Sequence, residues 1–232
     1  MSGSCDHPAP RGRLPAYLVA LAAGLGPLIA VNVGLVISIG VGAIEPTLPY
    51  VDGETSISRA NRDEPAVRIF RALVLPSAVP LAATWWIASR WLARQGFASR
   101  RLARWIFGLG LAAALCMVLY ASFLGASWPV YRLLRRYGIY VFFGGTGLVE
   151  LLITVALARR RHVSVERWVR RTMVACCALM LAAGPVNLAA DHALEHDGVA
   201  NVLEWWFGLA MIGFPLLLAR IWYREQLEFQ LR

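Results

Sequence analysis

His192 and His196 stand four residues apart, with Asp191 before them and Glu195 and Asp197 beside them. In a helical turn that spacing puts both imidazoles on one face, a geometry that binds zinc. A metalloprotease helix also needs a glutamate directly after the first histidine, and Ala193 takes that place. The stretch is therefore read as a solvated acidic loop, and no metal is expected. A second carboxylate group, Glu45, Asp52, Glu54, Asp63 and Glu64, crowds the stretch 45–64. Glu204 and Glu150 each stand inside an apolar run, where an ionisable group costs a few kcal/mol on insertion scales and marks a functional candidate. The cysteines Cys5, Cys116, Cys176 and Cys177 lack C-x-x-C spacing, so small apolar filler is expected rather than a disulfide or thiolate site.

The elements that must position these residues are dictated by composition. The 232 residues are 58% hydrophobic and only 16% charged, with a mean hydropathy of +0.56, whereas a soluble domain carries about a quarter charged residues. Uncharged blocks bounded by arginines predict an all-α, six-helix transmembrane bundle forming a single domain over 1–232, with spans at about 15–43, 69–92, 104–126, 137–158, 172–190 and 199–220. The first block is too long for the ~7–15-residue apolar region of a signal peptide and is read as a retained helix.

All 23 basic residues are arginine. Counted over alternate short loops and tails, 16 fall on one side and 7 on the other, and the positive-inside rule makes the richer side cytoplasmic. The termini are thus expected in the cytoplasm and the protein in the plasma (inner) membrane. The tail residues Ile221, Trp222, Leu227, Phe229 and Leu231 are expected along the headgroups. The net charge of +9 and pI near 10.1 do not point to nucleic acid, because the arginines are spread among short loops rather than gathered on a soluble face. Membrane lipids are the expected partners; the sequence is silent on protein partners.

This orientation collects acids and histidines at the outer end. Asp52, Glu54, Arg68, Arg71, His192, His196 and Glu204 form the candidate headgroup-binding set. Asn32 and Asn187 fall at a depth similar to Glu204, which predicts an outward-opening polar pocket; the alternative is that these groups bond one another to lock helix packing. Arg132, Arg135 and Arg136 precede the fourth span and are suited either to fork onto lipid phosphate or to snorkel at a helix end. Glu150 is expected to be neutral, or paired through Thr146 or Thr154.

The stretch Pro46-Thr-Leu-Pro-Tyr-Val-Asp-Gly-Glu54 and the stretch Ala200-Asn-Val-Leu-Glu-Trp-Trp206 resemble the Frag/DRAM/Sfk family of six-span proteins. That family reads Pro-Tyr-(Ile/Val)-Ser-Asp-x-Gly in its first outer loop and Glu-Trp at the entry to its last helix. Here the serine is missing, Asp52 abuts Gly53, and the family's Pro-Glu is reversed as Glu64-Pro65. The resemblance implies lipid work: its members include proteins of GPI-lipid and ceramide remodelling, autophagy modulators and regulators of phosphoinositide synthesis. The functional expectation is a multi-pass protein of lipid homeostasis that binds or helps remodel a headgroup in an outer-leaflet pocket. A non-catalytic scaffold and an intramembrane acyl-lipid hydrolase or transferase are the alternatives. No Gly-rich phosphate loop, nucleophile elbow or dinucleotide fingerprint occurs, and no cofactor is expected.

Overall fold

The computed structural model describes residues 13–159, 165–193 and 198–230. Six long helices dominate: α1 (Ala16–Gly40), α3 (Ala66–Arg94), α4 (Arg100–Ser122), α5 (Pro129–Ala158), α6 (Arg167–Ala193) and α7 (Gly198–Arg224). A one-turn helix, α2 (Ile57–Ala60), lies in the connection between α1 and α3. Each long helix is long and apolar enough to cross a membrane, since about 20 residues at ~1.5 Å each span a ~30 Å hydrocarbon core. The chain is an all-α, multi-pass membrane protein.

At both ends of α3, at the starts of α4, α5 and α6 and at the end of α7 the helix runs on into the flanking arginines, whereas α1 starts after Arg13 and α5 stops before Arg159. α5 begins at Pro129 rather than near 137, because proline presets the first turn and arginine is a good helix former whose stem reaches back along apolar surface. α4 begins at Arg100, with the Ser99 hydroxyl accepting from the Leu102 N–H at 3.2 Å.

The helices close into a ring in the order α1, α3, α4, α5, α6, α7, with α7 returning to α1. α5 and α7 touch only sparsely, and α6 bridges them. The largest buried side chains include Trp85, Trp205, Trp222 and Phe214. Gly110 lets α4 lie directly on Trp85, and Gly24 lets α1 lie on Leu216 of α7. Exposed Trp128, Tyr131, Tyr137, Tyr140 and Trp206 girdle one end of the bundle, and exposed Trp86, Trp105, Trp168 and Tyr223 girdle the other, the aromatic belts of a membrane protein.

The first end carries the 41–65 connection and is called the loop end; the second carries the chain termini. There β1 (Arg13–Pro15) and β2 (Glu228–Gln230) pair antiparallel, Leu14 opposite Phe229, and the Ala16 N–H donates to the Leu227 carbonyl at 2.9 Å. Of the tail residues expected along the headgroups, Ile221 and Trp222 are instead buried in the bundle, β2 pairs with β1, and Leu231 and the Phe229 side chain lie outside the described residues.

At the terminal end α6 is tied to α7 by Glu166, which accepts from Arg220 at 3.1 and 2.9 Å and lies 3.4 Å from Arg224. The hydrogen bonds from Arg220 hold the Glu166 carboxyl below its ordinary 4.5. A carboxylate depressed in the folded state contributes stability above its ordinary value and loses it as pH falls through the lower folded one. Thermal unfolding of detergent-solubilised protein should show a loss of Tm below about pH 4.5 that is smaller in Glu166→Gln. Equal pH profiles for the two proteins would rule out this tie as a source of the acid sensitivity.

Candidate functional site

The 41–65 connection is a backbone-rich segment at the membrane boundary, so its amides need partners from the protein. The first two turns of α7 supply them. Asn201 Nδ2 donates to the Gly53 carbonyl at 2.7 Å, Trp205 Nε1 to the Thr55 carbonyl at 2.8 Å and Trp206 Nε1 to the Tyr50 carbonyl at 2.9 Å. The Glu204 carboxylate accepts from the backbone N–H groups of Ser58 and Ile57, at the start of α2. Gly53 is held at φ 68°, and a Cβ there would strike the Gly198 carbonyl; only glycine satisfies both conditions. The Tyr50 ring packs edgewise on Trp205 and Trp206, with centroids 5.0 and 5.9 Å away.

From the other side α1 holds the same segment. Ser38 Oγ donates to the Ala60 carbonyl at 2.8 Å, and buried Asn61 donates to the Ile57 and Val31 carbonyls at 2.9 and 3.4 Å. Asn32 donates to Leu28 within its own helix at 2.9 Å and accepts from the Tyr50 hydroxyl at 3.4 Å.

The residues expected to form a headgroup pocket separate into different jobs. Asp52 folds its own turn, accepting from the Thr47 hydroxyl at 2.6 Å, the Leu48 N–H at 2.7 Å and the Glu54 N–H at 3.1 Å; the Thr47 bond leads in holding its carboxyl below the usual range. Glu54 is exposed. Arg68 is exposed and pairs with Glu64 one turn before it at 2.7 Å. Arg71 donates to the Ala121 and Leu124 carbonyls at 3.2 and 2.6 Å, satisfying the C-terminal end of α4 rather than facing lipid phosphate. His192 falls in the last turn of α6, but its side chain lies outside the described residues, as do that of Asn187 and the whole of Glu195, His196 and Asp197. The pairing expected of Glu150 is not made: Thr154 bonds Cys177 at 3.3 Å, and the Glu150 carboxylate and the Thr146 hydroxyl, all buried, have no hydrogen-bond partner.

Glu204 is the member of the set that lines a pocket. It shares a space of about 640 Å³ at the loop end with Arg132, Arg135 and Arg136 of α5, Tyr120 of α4 and Ser58. The arginines follow the i, i+3, i+4 rule for one helix face, and no described carboxylate lies within ion-pair distance of them. Below this mouth lies an apolar cavity of about 50 Å³, walled by residues that include Val74, Met117, Phe142 and Met211 together with Pro27 and Pro215. Tyr120 and Phe143 line both spaces. Tyr120 is 4% exposed, and its hydroxyl has no hydrogen-bond partner among the described residues. The spacing of the three arginines was visible in the sequence; that α4 and α7 place a buried hydroxyl and a carboxylate opposite them was not.

Comparison with protein-family models, with curated proteins and with solved structures finds no match.

If α7 seals the loop, Trp205→Phe should preserve the ring packing but leave the buried Thr55 carbonyl unpaired, a loss of about 1–3 kcal/mol. Melting in detergent should shift down, and trypsin should cut faster after Arg59 and Arg62 in the loop. An unaltered cleavage rate would show that the loop is held by other contacts.

Proposed function

We propose that this chain binds a phosphate-bearing membrane lipid at the loop end of the bundle and serves lipid homeostasis. The observation that carries the reading is the junction of two environments at Tyr120. Three guanidinium groups without described acidic partners lie above it, and an apolar cavity lies below it. Guanidinium forks match phosphate geometry, the buried phenol offers one further donor, and the apolar cavity admits the end of a chain. Glu204, across from the arginines, suits a headgroup that also carries an amine or hydroxyls.

The positive-inside argument puts this end outside the cytoplasm and the site in the outer leaflet. Resemblance to the Frag/DRAM/Sfk family points the same way, and its two stretches, 46–54 and 200–206, are bonded to each other through Tyr50, Gly53, Asn201 and Trp206. A scaffold reading draws on the structural employment of Asp52 and Arg71, and the same experiment separates the two.

Full-length protein and the variant R132Q/R135Q/R136Q should be purified in mild detergent and their retained lipids measured by mass spectrometry. The variant should retain roughly tenfold less phospholipid, about the effect of losing one charge-assisted phosphate contact, while its helical content and Tm stay close to wild type. Equal lipid retention would sink the binding site. Lipid profiles of a deletion strain that match the parent would sink the role in homeostasis and leave the scaffold reading.

A further inference from the structure

The terminal end holds a second arginine-lined space that the loop-end site does not explain. α3 and α4 part there around a pocket of about 840 Å³ whose rim is formed by Arg90, Arg94, Arg100 and Arg104. None of the four has a described carboxylate within ion-pair distance. Of the acids described at this end, Glu166 binds Arg220 and Arg224, Glu225 accepts from the Trp91 indole at 2.7 Å, and Glu228 lies in β2 opposite Pro15.

Topology alone does not require this arrangement. Orientation in the membrane needs positive charge near the helix ends, wherever it sits. Here two arginines on the last turns of α3 and two on the first turns of α4 converge on one space. Those on α4 stand where the helix dipole is positive and no acid occupies the first turn, an unfavourable placement unless an anion joins them. Arg90 is already held in place, its guanidinium 5.7 Å from the centre of the Trp86 ring; stacking of this kind leaves the donor edge of the fork free.

Apart from Ser89, whose hydroxyl donates to the Trp86 carbonyl, the rest of the lining is apolar and includes Ala93, Ala98, Ala103 and Phe107. Exposed Leu111 and Leu115 continue the Arg104 face of α4 toward mid-membrane, and exposed Val79 continues the Trp86 face of α3, since residues seven apart share a helix face. An anion held by the arginines would therefore have hydrocarbon-compatible surface directly beneath it.

Four guanidinium groups without a described acidic partner are more than a single phosphodiester can engage; two phosphodiesters can each be gripped by a pair of forks, with positive charge to spare. We propose that this pocket binds the headgroup of a phospholipid carrying two phosphates, of the diphosphatidylglycerol class, in the leaflet at the terminal end, with its acyl chains along the outer groove of α3 and α4. The site is independent of the loop-end pocket.

The test uses delipidated full-length protein in detergent, titrated with phosphatidylcholine, phosphatidylglycerol or diphosphatidylglycerol and followed by native mass spectrometry and Tm. Diphosphatidylglycerol should bind wild type at least about tenfold more tightly than either other lipid and should raise Tm. R94Q/R104Q should lose that preference, while R132Q/R135Q/R136Q keeps it. Because removing two arginines alters the topological signal, R90K/R94K/R100K/R104K supplies a charge-conserving control: it should insert normally yet bind several-fold more weakly, lysine lacking the fork. Equal diphosphatidylglycerol affinity in wild type and in R94Q/R104Q or R90K/R94K/R100K/R104K would overturn the site. Equal affinity of wild type for phosphatidylglycerol would overturn the two-phosphate assignment. Displacement of the lipid by equimolar inorganic pyrophosphate would reassign the pocket to a soluble anion and overturn its lipid source.

Discussion

The structure depends on backbone hydrogen bonding at the edge of a solvent that offers none. Within hydrocarbon a helix satisfies its own amides, but a connecting segment does not. The 41–65 connection meets this constraint by borrowing donors and acceptors from α7 and α1: Asn201, Trp205 and Trp206 donate to its carbonyls, and Glu204 receives its N–H groups. An otherwise costly carboxylate in a transmembrane helix thus has a structural reason to be there. Its remaining face lines the pocket, so one side chain holds the loop and contributes to the polar mouth.

Each end of the bundle uses arginine in two ways. Arg71 and Arg220 are spent inside the protein, one on the carbonyls that end α4 and one on Glu166. Arg132, Arg135 and Arg136, like Arg90, Arg94, Arg100 and Arg104, face open space without a described acidic partner. A guanidinium group exchanges water for phosphate readily because it is weakly hydrated and presents a rigid fork. Both open groups sit beside apolar lining, the pairing of surfaces that an amphiphile presents in reverse.

Six spans were legible because the cost of charge in hydrocarbon is severe and local, so uncharged blocks report helices directly. Their ends were less legible. Arginine carries a long apolar stem, and the same residue type that bounded the blocks proved to continue α3, α4 and α5 by a turn or more. The site was legible only in part. Glu204 announced itself as a buried acid, and the spacing of Arg132, Arg135 and Arg136 was plain. That Tyr120 stands between them, or that Arg71 turns inward to α4, depends on contacts some fifty or more residues apart in sequence, which periodicity does not encode. Asp52 read as a ligand because acidic residues crowd its loop, yet its neighbours Thr47 and Leu48 claim it locally, the habit of aspartate in turns.

The closure of the ring by α7 against α1 imposes an order on biogenesis. α1 leaves the ribosome well before the helix that covers its Gly24 surface and the strand that pairs with residues 13–15. At about 5–20 residues per second, roughly ten to forty seconds separate the two. Throughout that interval α1 lacks the cover that Leu216 gives Gly24, and the 41–65 connection waits unsealed. A nascent chain that stalls before α7 is therefore left with an open ring and a connecting segment whose carbonyls lack the donors of α7.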